Sequence, residues 1–558
     1  MKLDRSWTPA FAVAVIALIS GGWLLQQGDA PQSSGDYSNA RLFEQVHHIV
    51  SQRYVEDMES SELYRMAIEG MLSELGDPHT TFLDSAEYAD LRLNTTGNYG
   101  GLGIRIESQD NWITVVDVLP DTPADREGLQ PGDRIIEVKG ESAKGWSTTD
   151  AVKVLRGPKG SSVHITVARV GVSKPLGFEI TRDEVQVASV HSFMLDDNVG
   201  YVRLQQFSEQ AQRELESAIG SLQEQGARSL VLDLSANPGG LLDQGVAVAD
   251  LFLPEGTKVV STKSRVSSQN ETYRAPNPEK YGDLPVAVVV SRYSASASEI
   301  VAGALQDHDR AVVIGSRTFG KGSVQSLFGL AGGNYLKMTT ARWYTPVGRS
   351  IQRDRGEDSQ MSELMANTIS VSGNAISTAS TDTAQQQVYH TDSGRAVYGG
   401  GGITPDLLVS TDTLTQPEQE FRQELSEAGV ILDNAAFQFG VKWSREHDLS
   451  PDFEVTGEMR DAFYRRLSEE HGIEVDRELY DGARGWVDWN LRIQVASAAF
   501  GPEERLRQRV ASDRPIQRAA SLLRRANTPG EVITLAEAEK GSVGPSGEGN
   551  SFDGGSEQ

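Results

Sequence analysis

The chain of 558 residues has no cysteine. That absence excludes disulfide bonds, thiolate metal ligands, a cysteine nucleophile and a lipid-modified N-terminal cysteine in one step. It leaves the redox compartment open, since a cysteine-free chain tolerates either. Basic residues are also scarce: 52 Lys and Arg stand against 78 Asp and Glu, a formal net charge of −26. A phosphate backbone is held by clustered cations, so no nucleic-acid partner is expected. Hydrophobic residues at 38% and charged residues at 23% match ordinary globular protein. The length exceeds what one hydrophobic core supports, and three or four domains are expected.

An apolar run from Trp7 to Leu25 follows Lys2 and Arg5 and carries Trp at both ends. It is just long enough to cross a bilayer core of about 30 Å as a helix. Residues 1–30 are therefore read as a membrane anchor, with a cleaved signal segment as the alternative. Gly28, Asp29, Ala30 and Pro31 form no convincing cleavage site. On either reading the basic end stays inside and the body is exported. The expected location is the cell envelope, inner-membrane anchored, with the body in the periplasm or otherwise outside the cytoplasm.

Beyond this run the pattern changes several times. Residues 37–85 read as helices, with Leu42, Val46, Ile49, Val50, Leu63, Met66, Ala67, Met71 and Leu72 at helical spacing before Gly76-Asp77-Pro78. Residues 86–184 read as short strands with two brief helices; Ile113–Val118 and Ser162–Arg169 alternate like strands, and Asp150–Leu155 suits a helix. Residues 190–412 alternate strands and helices as an α/β domain does. Strands are expected at Val199–Leu204, Leu230–Leu234, Val286–Val290 and Val312–Ile314, and helices at Gln210–Gln225 and Ser298–Gln306. A Ser/Thr/Asn/Gln-rich stretch, 356–387, reads as a disordered insertion, 413–530 as a charged helical region, and 540–558 as a disordered tail.

Three segments of the α/β region could carry chemistry. Ser294-Ala295-Ser296-Ala297-Ser298-Glu299 follows a buried-strand pattern and opens an apolar helix, where N-terminal amides stabilise negative charge. Ser296 with Glu299 also fits a capping box, which needs no chemistry. Phe319-Gly320-Lys321-Gly322 sets a lysine between two glycines. A lysine acts as a base only when neutral, against an ordinary pKa of about 10.4, so it needs burial; an exposed turn lysine is the other reading. Finally, Leu230–Leu234 runs through Ser235-Ala236 into Asn237-Pro238-Gly239-Gly240, a tight turn able to present backbone N–H groups as an oxyanion hole does. Histidine offers no good competitor: His308 lies at the far end of the helix that follows Ser296.

In this order, these segments resemble the C-terminal processing peptidases, or tail-specific proteases, over about Leu42 to Leu408. The resemblance also rests on Gly70-Met71-Leu72, Leu75–Thr80, Tyr99–Ile104, Asp121–Ala124, Gly128–Asp133, Thr339–Pro346 and Gly402–Asp406. It implies a crotonase/ClpP-like α/β catalytic core with an inserted β-rich PDZ domain, flanked by an N-terminal helical segment and a C-terminal helical region. It implies Ser296 as nucleophile, Lys321 as general base 25 positions on, and Gln325 as a third residue orienting the lysine. The oxyanion hole would use the Ala297 N–H and one from Gly239 or Gly240. No metal or cofactor is implied. Substrate tails would bind at Tyr99, Gly100, Gly101, Leu102, Gly103 and Ile104, with Val152 and Leu155 helping to line a pocket for an apolar last residue. The partners implied are proteins or peptides with exposed C-termini, the membrane through the anchor, and a second copy or an adaptor. The turn departs from the family at Ser235-Ala236, where Arg-Asn is common; the glycines are kept.

Overall fold

A computed structural model of the chain describes residues 34–195, 198–353, 387–410, 414–471 and 475–542. The expected anchor at 1–30 and nearly all of the expected insertion at 356–387 lie outside the described residues. The expected tail begins inside a helix that runs to Ser542; its remainder, 543–558, is also outside them. The described chain forms two compact units, one ending at Leu83 and including Leu327–Met338, the other holding the rest.

The first unit contains helices α1 (Ser34–Arg53) and α2 (Ser60–Ser73) and strand β1 (Thr81–Leu83). The helices meet where His47 stacks on Tyr64 with ring centroids 4.2 Å apart, and β1 pairs antiparallel with Tyr335–Lys337. Both helices stand where the spacing of apolar residues predicts them. The structure leaves Leu42, Val46 and Ile49 more than half exposed, and of the nine residues that carried the pattern only Leu72 is buried.

In the second unit, α3 (Ser85–Thr96) opens on Asp84, whose carboxylate accepts from the Ala86 and Glu87 N–H groups. This helix stands where short strands were expected, because Asp84 and Glu87 complete a capping box. After β2 (Asn98–Gly101), an antiparallel sheet follows the order β3 (Ile104–Gln109), β4 (Trp112–Val118), β5 (Arg134–Val138), β6 (Ser162–Ala168), β7 (Leu176–Thr181), with β3 at its edge. Helix α4 (Thr148–Leu155) packs beside β3, and β8 (Asp183–Gln186) pairs with β2.

The larger sheet contains β9 (Val190–Met194), β10 (Val199–Leu204), β11 (Ser229–Asp233), β12 (Val286–Val290), β13 (Val312–Gly315) and β14 (Leu407–Leu408) in that spatial order. Only β9 and β10 pair antiparallel. Helices α5 (Ala211–Glu224), α6 (Leu242–Asp250) and α7 (Ala297–Asp307) cover one face. The C-terminal region supplies α8 (Gln416–Glu427), α9 (Leu432–Glu446), α10 (Gly457–His471), α11 (Arg484–Phe500), α12 (Pro502–Ser512), α13 (Arg514–Leu523) and α14 (Pro529–Ser542). Val231, Ala287, Val289, Val312 and Ile314 point to the opposite face, where Ile516, Ala519, Ala520 and Leu523 of α13 and Val532 of α14 bury them. Covering both faces explains the unbroken apolar strands, since alternate residues meet different helical layers. Part of the C-terminal region is thus the second half of the core.

Candidate active site

The segment after β12 is packed so that one hydroxyl is left accessible. From Ser294 to Asp307 every residue is buried except Ser296. Ser294 Oγ donates to Leu234 O at 2.7 Å, and Ser298 Oγ donates to Asn237 O at 2.9 Å. Both outer serines are thereby used to bind the neighbouring turn. Ser296 has φ +56° and ψ −116°, which L-residues seldom adopt and which costs on the order of 1–3 kcal/mol. It directly precedes α7, whose first N–H, on Ala297, has no acceptor within the helix.

The Asn237–Gly240 turn lies against this serine. A Cβ on Gly239 would stand 2.7 Å from both Ala295 O and Ser296 Cβ, and 3.1 Å from Ala297 N. Only glycine allows that approach, and φ +100° there favours it as well. Asn237, fully buried, holds the turn. Its Oδ1 accepts from Gly239 N–H at 2.8 Å, its Nδ2 donates to Leu204 O at 2.9 Å, and its backbone O accepts from Ala295 N–H at 3.1 Å. The Gly239 N–H is therefore spent, whereas among the described residues Gly240 N–H donates to no protein acceptor. The sequence reading had placed Asn237 in the turn without giving it a task.

Glu299 joins the serine to the lysine turn. Its Oε2 accepts from Ser296 N–H at 2.8 Å and from Lys321 N–H at 2.9 Å. Its Oε1 accepts from Thr318 Oγ1 at 2.6 Å and Gly320 N–H at 2.8 Å. Full burial pushes this carboxyl up to about 6, a rise that the hydrogen bonds from Thr318, Gly320, Ser296 and Lys321 oppose. The sequence pattern gave the carboxylate as a helix cap, and it is one; the three further donors arrive from residues 318–321, which spacing alone does not reveal.

Three other stretches of chain grip the lysine turn from outside. Arg353 N–H donates to Gly320 O at 3.0 Å, and Gln352 Oε1 accepts from Gly322 N–H at 3.0 Å. Thr318 exchanges bonds with Ile403, its N–H donating to Ile403 O and its Oγ1 accepting from Ile403 N–H at 2.6 Å. A Cβ on Gly402 would stand 2.4 Å from Thr318 O. Trp343 Nε1 donates to Lys321 O at 3.1 Å. The lysine itself is half-buried. Gln325 is half-buried, and its amide donates to Ser323 Oγ at 2.9 Å and, more weakly, to Thr339 Oγ1 at 3.4 Å.

His308 caps the other end of α7, some 16 Å from its start by helix rise. Its ring is held between Asp392 Oδ2 and Lys258 O, each at 2.7 Å, away from Ser296. Among the described residues no group of three or more His, Asp or Glu side chains could hold a metal ion.

The second predicted site surrounds β3, whose outer edge is unpaired in its sheet. Leu102 and Leu155 are buried in that sheet's core, while Ile104 and Val152 are half-buried. Gly100 O accepts from Gly157 N–H, which closes the turn onto the end of α4. Among the described residues neither Leu102 N–H nor Gly103 N–H donates to a protein acceptor. Tyr99 carries the Arg156 guanidinium 4.7 Å over its ring, and its side chain fills the space beside Gly101.

Models of known families match three stretches of the chain: the activating protease CtpB N-terminal domain at residues 24–87, the PDZ domain at 90–168, and peptidase family S41 at 198–359. A carboxy-terminal-processing protease of Bartonella bacilliformis is 42% identical over 324 residues, 57% of this chain and 73% of that one. A carboxyl-terminal-processing protease of Synechocystis is 36% identical over 377 residues, covering 63% and 86%. The chain belongs to the carboxy-terminal processing proteases. Among solved structures, the photosystem II D1 C-terminal processing protease is 31% identical, covering 56% of this chain and 89% of that one with a TM-score of 0.34. The protease is a serine-type peptidase with a PDZ domain, built on the mixed α/β architecture expected from sequence. The matched models end at residue 359, so the helical region from Gln416 onward lies beyond them.

Proposed function

We propose that the protease cleaves proteins by Ser–Lys acyl transfer and selects them by their C-terminal tails. The observation that carries this reading is the Glu299 carboxylate, whose single Oε2 binds the backbone N–H of both Ser296 and Lys321. Neutral Lys321 takes the Ser296 proton as the alkoxide attacks the peptide carbonyl. The oxyanion is received by Ala297 N–H and by Gly240 N–H, the one of the two glycine amides left without an internal acceptor. Lys321 then protonates the leaving amine and activates water for deacylation. Gln325 orients the lysine within this set.

The tail adds as a strand to the free edge of β3, its carboxylate on the N–H groups of Leu102 and Gly103, its last side chain against Ile104 and Val152. Leu102 and Leu155 form the floor beneath. An N-terminal anchor that carries the body into the envelope fits processing or quality control there. Exposed Leu42, Val46, Ile49 and Met71 in the first unit support self-association or an adaptor.

The test is cleavage of an unfolded protein ending in apolar residues. Ser296→Ala and Lys321→Ala are each expected to abolish cleavage while the variants stay folded and bind the tail as wild type does. Full activity of Lys321→Ala would remove the lysine from the mechanism. Equal cleavage of free and amidated tails would remove the PDZ domain from substrate choice.

A further inference from the structure

Helix α9 of the C-terminal region lies on the PDZ domain. Val116 of β4 is buried with Phe437 and Val441 in a small apolar cluster of their own. The surfaces fit closely, since a Cβ placed on Gly132 would stand 2.6 Å from Val441 Cγ1 and 3.4 Å from Val441 Cβ. Polar contacts frame this cluster. Gln438 Nε2 donates to Asp110 Oδ2 at 3.0 Å, Gln109 Nε2 donates to Asn434 Oδ1 at 3.4 Å, and Arg445 donates to Val170 O. Gln109 and Thr114 are buried, although both are polar and lie on strands at one side of a small sheet.

The other end of the same region is fixed to the catalytic core. Helix α9 packs along α11, α11 against α12, and α13 fills the face of the large sheet with Ile516, Ala519, Ala520 and Leu523. Packed helices of this kind transmit position because cores are close-packed and resist compression. The PDZ contacts fall on Gln109 at the far end of β3, Asp110, Val116, Gln130, Gly132 and Val170. None of these six lies in residues 99–104 or α4, where the last residues of a tail would enter.

We infer that α9 is a docking surface for the PDZ domain, which holds it in one place on the core with its tail groove open. A bound tail is then delivered from a fixed site, which raises its effective concentration at Ser296 without a swing of the domain. This inference rests on the tail-binding reading above, and its test separates the two.

Hydrogen exchange of the full chain reads the docking without any substrate. Amides at 114–117 are expected to be protected in wild type, unaffected by a peptide with an apolar free C-terminus, and faster in Val441→Asp. Equal exchange in wild type and Val441→Asp, or loss of protection on adding the peptide, would overturn the inference. In a chain with no other cysteine, Gly132→Cys with Val441→Cys gives a lock whose Cβ atoms stand 3.4 Å apart, at the short end of the disulfide range and with strain from φ +87° at position 132. The oxidised lock should keep kcat/KM for a tailed protein within about twofold of its reduced form; a reversible loss of about tenfold or more means the domain must leave α9 to work. Val441→Asp should raise KM for the tailed protein about tenfold and leave the peptide Kd unchanged. Unchanged or faster cleavage would contradict fixed delivery. If the peptide fails to bind wild type at all, the tail reading falls while the exchange and lock results still decide the docking.

Discussion

The serine turn and the lysine turn are held by different means. Ser296 is fixed by its neighbours in the sheet: the strand before it, the helix after it, and the Leu234–Gly240 turn of the adjacent strand, bound through Asn237, Ser294 and Ser298. Lys321 is fixed by residues distant in sequence, Gln352 and Arg353 on one side and Gly402 and Ile403 on the other. Glu299 reaches both with one carboxylate, and Phe319 N–H adds a second tie by donating to Ser294 O at 3.0 Å. The geometry of Ser296 thus belongs to the sheet, whereas that of Lys321 depends on chain that lies far along the sequence.

Changes at the shared residue should cost most. Glu299→Gln replaces an acceptor-only group by one with an N–H₂ among four donors, leaving buried groups unsatisfied at about 1–3 kcal/mol each. A fall in kcat of about a hundredfold or more is expected, with tail binding intact. A fall confined to KM would show that Glu299 serves substrate binding instead. Its titration gives the same test a sign. The folded pKa near 6 lies above the ordinary 4.5, so the folded state is favoured at low pH and loses about 2 kcal/mol relative to Glu299→Gln as pH rises from 4.5 through 6. Activity should move the other way, because protonation removes an acceptor from the tie. Urea unfolding of both proteins at pH 4.5 and 7 checks the first part, and the acid limb of kcat the second; an acid limb identical in the variant would separate Glu299 from it.

Next in size is the serine side. Asn237→Ala frees Gly239 N–H and Leu204 O inside the core and should lower kcat about tenfold to a hundredfold, with about 2–4 kcal/mol lost from stability. Denaturant melts alongside kinetics would show whether the two losses travel together, as the shared packing requires. The smallest effect is expected on the lysine side. Gly402→Ala places a methyl 2.4 Å from Thr318 O, at φ +105°, and should lower kcat about tenfold with about 1–3 kcal/mol of destabilisation. If Gly402→Ala proves harmless while Asn237→Ala is severe, the distant grip on Lys321 is dispensable.

The same contrast sets what could be read from sequence. The strand-to-helix setting of Ser296 was legible because its signal is local: an apolar strand, small residues, then an apolar helix; its role as nucleophile is implied only by the family resemblance. Strands 199–204 and 286–290 were legible to the residue for the same reason, as runs buried on both faces. Lys321 was legible only through family resemblance, since nothing within its own segment announces partial burial. Glu299 looked like a cap because the residues it also serves lie about twenty positions on. The choice of Gly240 over Gly239 turned on one side-chain hydrogen bond from Asn237. The helices of residues 37–85 were legible from their spacing, whereas spacing alone does not report that Leu42, Val46 and Ile49 stay exposed. The docking of α9 on the PDZ domain joins Gln109 to Asn434, 325 positions apart, and no periodicity reports such a pair.

The most direct test is covalent. A fluorophosphonate, which reacts with activated serine hydroxyls, should label wild type once, at Ser296, as read by mass spectrometry of its peptides, and should fail to label Lys321→Ala or Glu299→Gln at a comparable rate. Labelling of another serine, or of Ser296 at full rate without Lys321, would contradict a Ser–Lys pair held together by Glu299.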